Sequence, residues 1–307
     1  MPRRLSIALG VALFLVGAAA IGVTSSTGTH DNKRRAVTAA DRSAKPVRPC
    51  GRATAPPARY DHVIWVVMEN KARAEIIKSP SAPYVNELAA QCGSAANFFA
   101  EGHPSLPNYI AMTSGSTHGI TDDNLPSSHR LNVPSIFSQL GRSWRALQES
   151  MPSNCRHTAA GEYAPRHNPA TYYTNIARAC ATQDVPLTTR PDLSARFTFV
   201  TPNLCNDTHD CSVATGDHWL RSFLGKIFAS AEYNAGKTAV FLTWDEDDSS
   251  SSNHIATIVA TQSVRPGTAP SPRFNHYSML RTTEEMLDLG LVGDAARATS
   301  MRSAFGI

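Results

Sequence analysis

Residues 62–69 read HVIWVVME, and residues 238–248 read TAVFLTWDEDD. Each is a short apolar run, rich in β-branched residues, that turns abruptly polar and acidic. Continuous rather than alternating hydrophobicity over that length fits a strand buried on both faces, as in parallel sheets. ARFTFVTP (195–202) repeats the pattern, and IATIVAT (255–261) predicts a fourth strand. Between these runs, Pro83–Cys92 has helical spacing at Tyr84, Val85, Leu88 and Ala89 and stops at Gly93. Trp219–Ala231 and Tyr277–Leu289 read as amphipathic helices. Alternation of strand and helix predicts an α/β sandwich with a largely parallel sheet, as one domain over 60–305.

The chain ahead of that domain has a different character. Arg3 and Arg4 precede an uncharged apolar run from Leu5 to Val23. Two readings follow for residues 1–23: a signal peptide with small residues at Ala18–Ala20 or Thr24–Ser26 as its exit, or an uncleaved signal anchor. Either predicts an exported body, secreted or held at the cell surface by that segment. Residues 24–59 are rich in Ser, Thr, Ala, Pro and charge. Such a segment buries too little to offset its ordering entropy and reads as a linker.

Net charge is +4, but residues 1–59 hold ten Lys/Arg against Asp31 and Asp41, a net of +8 that leaves the remainder at −4. A nucleic-acid footprint belongs on a folded face, so this distribution argues against such a partner. Six cysteines in an exported chain predict disulfides, and neighbours in sequence suggest Cys205–Cys211, Cys155–Cys180 and Cys50–Cys92. No C-x-x-C spacing supports a cysteine metal site.

In open α/β sheets the site lies beyond the carboxyl ends of the strands, which filters the polar residues. Glu69 and Asn70 close the first strand and offer hard oxygen ligands for a divalent cation; the plain alternative is a turn or cap. Asp245 and Glu246 open WDEDD, where four consecutive carboxylates cannot all ionise cheaply in a closed site without a cation; a solvated acidic loop competes. GHPSLPNYIAMTSG (102–115) puts Ser105 between prolines just ahead of a predicted helix, where free N–H groups suit a phosphate and a serine can serve as nucleophile or as simple N-cap. His103 beside it is a base, a phosphate contact or structural. PNLCNDTHDC (202–211) presents Asn203, Asn206, Asp207, His209 and Asp210 on a pinned loop suited to metal or phosphate. His254 and His276 are weaker candidates, since a lone histidine at a helix start is most often a cap or surface residue.

Taken in order, ENK, HPSLPNYIAMTSG, PNLCNDTHDCS, TWDEDD and HYSMLRTTEEM resemble the bacterial phosphoesterase family of acid phosphatases and phospholipases C, over residues 60–290. That resemblance implies an alkaline-phosphatase-like, doubly wound α/β sheet and a metal-dependent phosphoric-ester hydrolase. It implies Ser105 as nucleophile, through a phosphoserine, and Glu69, Asn70, Asp245 and Glu246 as ligands of a divalent ion (Ca, Mg or Zn). Ser105–Asn108 and His118–Ile120 match a pattern that makes Asn124 the phosphate contact, with Asn108, His103 and His276 near the substrate and His209 assisting the leaving oxygen. SSSSNH (249–254) departs from the shorter, glycine-containing loop of the family and weakens the assignment of His254. Implied substrates are small-molecule or lipid phosphate esters, phosphatidylinositol 3-phosphate among them, with membrane contact only through the N-terminal segment or the lipid.

Two rivals stand beside the monoesterase. A phosphodiesterase or phospholipase C fits the same motifs, unless arginine from a distant segment supplies charge for a doubly charged phosphate. A secreted module holding structural Ca²⁺ predicts metal-dependent stability without turnover, but has no use for Ser105 at a helix start.

Overall fold

A computed structural model describes residues 48–307. Its centre is a seven-stranded sheet. The strands are β1 (His62–Met68), β2 (Gly93–Ser94), β3 (Asn97–Phe99), β4 (Trp144–Gln148), β5 (Asp184–Pro186), β6 (Phe197–Thr201), β7 (Thr238–Trp244), β8 (His254–Ile255), β9 (Thr257–Ala260) and β10 (Arg273–Asn275). The order is β2-β9-β7-β1-β6-β4-β5, and a small second sheet runs β10-β3-β8. Strands β7, β1, β6, β4 and β5 pair in parallel; β9 lies antiparallel to β7, and β2 antiparallel to β9.

Central position explains the apolar runs. After His62, β1 is wholly buried, and every residue of β6 and β7 is buried. Side chains alternate between faces, so Trp65 and Met68 point to opposite sides. Trp65 donates from Nε1 to Thr283 Oγ1 at 3.0 Å, on the helix His276–Met286. Met68 instead meets Gly216, on the helix Val213–Ala229, where an added Cβ would lie 3.0 Å from Met68 Cε and 2.4 Å from Thr208 Cγ2. Helices therefore cover both faces, the doubly wound arrangement. The same Val213–Ala229 helix orients the helix Pro83–Gln91: Asp217 accepts from Tyr84 N (3.0 Å) and Val85 N (2.8 Å), satisfying free amides of its first turn.

The expected elements at 62–69, 83–92, 195–202 and 238–244 are present, with boundaries shifted by a residue or two. IATIVAT is split, because Ile255 pairs with Phe98 of the small sheet while Thr257–Ala260 joins β7. The helix expected from Trp219 starts earlier, at Val213, where Ser212 Oγ accepts from Thr215 N.

All three expected disulfides are formed: Cys50–Cys92, Cys155–Cys180 and Cys205–Cys211. The first carries the folded body past the expected boundary at Tyr60. Tyr233 donates its hydroxyl proton to Pro49 O (2.9 Å), and Arg52 N donates to Gln262 O (2.8 Å). A covalent link and backbone bonds hold this stretch, which its polar composition alone does not reveal. At the other end Ile307 is buried. The expected signal segment 1–23 and most of the linker lie outside the described residues. No helix among the described residues is long and apolar enough to cross a membrane.

Candidate active site

Strands β1, β6 and β7 deliver their polar successors to one edge of the sheet. Backbone bonds close the edge: Asp245 N donates to Met68 O (2.9 Å) and Glu69 N to Asp207 O (2.8 Å). Asn70 turns the chain away at φ 53°, a left-handed conformation that asparagine tolerates better than most residues. Thr208 donates its hydroxyl to Glu69 O at 2.7 Å, fastening the 202–211 loop to the end of β1.

Over this edge stands the helix Ser105–Ser114, all ten residues of it buried. It stops at Gly115, held at φ 73°, where any Cβ would press to 2.3 Å from Val292 O. Ser105, 2% exposed, donates to Glu69 Oε2 at 3.0 Å, with Glu246 Oε1 at 3.4 Å as second acceptor. One turn later Tyr109 donates to the other oxygen, Glu69 Oε1, at 2.5 Å. Leu106 N, a free amide of the first turn, donates to Asp123 Oδ1 at 2.9 Å.

Around Ser105 lies an unusual density of buried acid. Glu69, Asp207 and Asp245 have no solvent exposure and Glu246 has 5%. Burial, then repulsion from Asp245 and Asp207, raises the Glu69 carboxyl well above its usual range. Burial likewise raises Asp207 and Asp245 to about 7, and Glu246, with Asp245 beside it, to about 9. Four atoms here have no hydrogen-bond partner: Asn70 Oδ1, Asp207 Oδ2, Asp245 Oδ2 and His167 Nε2. His167 Nε2 stands 3.3 Å from Glu69 Oε1 and its Nδ1 3.5 Å from Asp207 Oδ2, without hydrogen-bonding geometry. Burial, then the positive charge of Arg166, holds His167 well below its ordinary value, so the ring is neutral. Ligand atoms of Glu69, His167 and His209 lie within 4.8 Å of one another. Buried carboxylates and a neutral imidazole with bare lone pairs fit a divalent cation, whose charge would offset the burial and mutual repulsion that raise these acids.

The acidic run divides its labour. Asp245 and Glu246 face the cluster, and Asn70 N donates to Asp245 Oδ1 (3.3 Å). Asp247 turns the other way and accepts from Ser249, Ser251 and Asn253 N, pinning the serine loop. Asp248 is exposed. His103 bridges the two inner acids, Nδ1 at 3.1 Å from Glu246 Oε2 and Nε2 at 3.1 Å from Asp247 Oδ1.

Several expected contacts have other occupations. Asn108 is buried and fully engaged: its Oδ1 accepts from Glu101 N and Gly102 N, and its Nδ2 donates to Gly102 O, Pro104 O and Glu246 Oε2. It clamps the loop ahead of the helix and leaves no donor over for substrate. His276 is buried rather than on the surface; Nε2 donates to Asp245 O at 2.7 Å, and burial lowers the ring to about 4. It positions Asp245. The cap of its helix is Asn275, which accepts from Ser278 N. Asn124 sits on an exposed loop, its carbonyl accepting from Tyr172, and no hydrogen bond joins its amide to the cluster. His254 donates to Ala96 O and stacks on Phe99.

His209 lies at the mouth of the site. Its Nδ1 is 2.6 Å from Asp210 Oδ1, and Arg166 donates to its Nε2 at 3.1 Å. Arg166 also comes within 3.8 Å of Asp123 Oδ2. This arginine lies on the short helix Pro165–His167, far in sequence from the strand-end motifs, and His167 follows it. Sequence gave no strand-end signal for either. Asp207 was visible in PNLCNDTHDC, but as one polar residue among five.

The fold recurs in solved structures. A protein of the alkaline phosphatase superfamily from Vibrio parahaemolyticus superposes with a TM-score of 0.52 at 12% identity, over 83% of this chain and 74% of that one. The fold is therefore the alkaline-phosphatase-like α/β fold. Within it the chain belongs to the Phosphoesterase family, whose model matches residues 65–290. A phosphatidylinositol-3-phosphatase of Mycobacterium tuberculosis is 36% identical over 256 residues, covering 80% of this chain and 83% of the relative. A probable acid phosphatase of Kluyveromyces lactis is 28% identical over 258 residues, 77% of this chain; the chain spans 60% of that longer relative. The protein is an enzyme, a phosphoric-ester hydrolase. Its disulfides are the chemistry of an oxidising compartment.

Proposed function

We propose that the protein is an exported, metal-dependent phosphomonoesterase that works through a phosphoserine on Ser105. The observation that carries this reading is the Ser105 hydroxyl, at a helix start, shared by Glu69 and Glu246 beside unpartnered ligand atoms. Glu69, Asn70, Asp207, Asp245 and His167 would hold the ion, with His209 at its edge. An ion bound there supplies positive charge that favours the ionised serine and the charge developing on the phosphoryl oxygens.

The chain's own groups do the rest. Ser105 Oγ yields its proton to a neighbouring carboxylate and bonds to phosphorus as the bond to the alcohol oxygen breaks. Arg166 balances charge on the phosphoryl group. His209, braced by Asp210, passes a proton to the departing alcohol oxygen from its Nε2 once Arg166, which donates to that nitrogen in the free site, turns to the phosphoryl group. Water then attacks the phosphoserine and gives a proton back to His209, the Oγ–P bond breaks, and Ser105 recovers its proton from the carboxylate as phosphate leaves. Arg166 favours a monoester over the diester alternative, because a doubly charged phosphate gains more from a fixed cation. The name of the mycobacterial relative supports a phosphoinositide as substrate, phosphatidylinositol 3-phosphate among them. Export is supported by the disulfides and by the charge-flanked apolar segment Leu5–Val23.

The test is hydrolysis of p-nitrophenyl and bis-p-nitrophenyl phosphate, with and without EDTA and in Ser105→Ala. Metal-dependent monoester turnover that falls by several orders of magnitude in the variant is expected. Preference for the diester would move the reading to a phospholipase C-like enzyme, and no turnover of either ester would return it to a Ca²⁺-holding module.

A further inference from the structure

A cavity of about 240 Å³ opens between the 125–130 loop and the 170–180 segment. Its wall includes Leu125, Pro126, Ala170, Tyr172 and the Cys155–Cys180 disulfide, and Arg130 also lines it. Two of these residues are exposed at its rim. Leu125 is 42% exposed, one of two large apolar side chains left open among the described residues. Arg130 makes no ion pair or side-chain hydrogen bond among the described residues. An open leucine and an unpaired guanidinium facing one cavity describe a ligand with an apolar face and an anionic group.

The cavity is joined to the reacting centre by one short stretch of chain. Asp123 accepts from Leu106 N, next to Ser105, and Leu125 lies only two residues further on, a span of at most about 7 Å. Tyr172 ties the two regions: it lines the cavity, and its hydroxyl donates to Asn124 O at 2.9 Å. Asp122, at the start of the same stretch, is held by His129 at 2.5 Å. The rim is thus fixed relative to the nucleophile, as a specificity pocket requires.

We propose that this cavity receives the alcohol half of the phosphate ester, and that Arg130 selects alcohols carrying a second anionic group while Leu125 and Tyr172 cover their apolar face. The inference rests on the phosphatase reading and deepens it. His157, beside Arg130, is held below its ordinary value by burial and then by that arginine. Two sources present this chemistry: a soluble bisphosphate, and a lipid headgroup whose second phosphate leads to acyl chains.

The experiment compares kcat/KM for p-nitrophenyl phosphate, glucose 1,6-bisphosphate and dibutanoyl phosphatidylinositol 3-phosphate in wild type, Arg130→Ala and Leu125→Ser. Loss of a charge-assisted contact should lower kcat/KM for the doubly anionic substrates about tenfold in Arg130→Ala and leave p-nitrophenyl phosphate within about twofold. The substrate that loses more identifies the source. Equal losses for all three substrates, or none, overturn the proposal. Calorimetric titration of Ser105→Ala with the same two anionic compounds separates the pocket from the chemistry. Binding weakened about tenfold by adding Arg130→Ala supports the pocket even if turnover is absent; binding that ignores Arg130 sinks it while leaving p-nitrophenyl phosphatase activity to stand.

Discussion

Tyr109 and Ser105 are hydrogen bonded to the two oxygens of a single carboxylate, Glu69, from successive turns of one buried helix. The arrangement fixes the rotation of that carboxylate: one oxygen is held by the phenol at 2.5 Å, and the other faces the nucleophile at 3.0 Å. A ligand oriented by a neighbour binds its ion more tightly than a free one, and such outer contacts are typically worth about 10–100-fold in metal affinity or activity.

Tyr109→Phe keeps the ring and its stacking on His167 but removes the donor. We expect metal affinity to fall by about tenfold or more, with the protein still folded, since only one buried hydrogen bond is lost. Metal titration followed by turnover, with circular dichroism on the same samples, checks this. Unchanged affinity would mean that Glu69 is oriented by the strand end alone.

Removing the ion should destabilise the fold, because the buried acids would face one another without compensation. Saturating divalent metal at about 100 times its Kd adds roughly 2.7 kcal/mol to a native state that alone binds it. The rise in unfolding temperature on adding metal to chelated protein is expected in wild type and in Asn124→Ala. It should be lost in Asp207→Asn and His167→Gln, the two proposed ligands outside the expected set. A full rise in both ligand variants would remove them from the site.

The difference between those ligands and Glu69 or Asp245 is a matter of what patterns a chain can show. Strands β1 and β7 were legible because unbroken apolar runs such as VIWVVM end in acids, and the switch in polarity marks the sheet edge. Strand β4 was not, because Arg145 and Gln148 interrupt it; Arg145 reaches out to Asp192 near the sheet margin, and Gln148 is buried. His167 has no such strand in front of it. The segment bearing it is set by long-range bonds: Asn168 donates to Asp184 Oδ2 at 2.8 Å, and Cys155–Cys180 closes the same region. Asn124, expected from motif spacing, lies beside Asp123, and it is Asp123 that makes the bond to the helix start. Local periodicity identifies elements; which loops meet is decided by contacts that periodicity does not encode.

Asp184 offers a test of that supporting network away from the acid cluster. Burial raises its carboxyl from 3.8 to about 8. The folded state therefore holds a proton that the unfolded chain has released, and stability falls with pH across that interval. Its contribution is full below about pH 4 and is lost as pH rises through about 8. Asp184→Asn preserves an oxygen for Asn168 and removes the titration. In chelated protein with disulfides intact, urea midpoints should show the variant gaining on wild type steadily from pH 5 to pH 8. Parallel profiles would mean that Asp184 is ionised in the fold.

The proposed monoester preference rests on Arg166 and can be tested there. Its guanidinium donates to His209 and approaches Asp123, whose carboxylate accepts from Leu106 N beside the nucleophile. A phosphoryl group seated on Ser105 would meet this cation, and a monoester dianion would gain more from it than a diester monoanion. Removing a fixed donor to developing charge typically costs about 10²–10³ in kcat. Arg166→Ala should therefore lose about 10²-fold in kcat/KM on p-nitrophenyl phosphate and much less on bis-p-nitrophenyl phosphate. Arg166→Lys should recover part of the monoester rate, because the charge returns without the planar fork. Equal losses on both esters would assign the arginine to holding His209 and Asp123 rather than to reading the charge of the substrate.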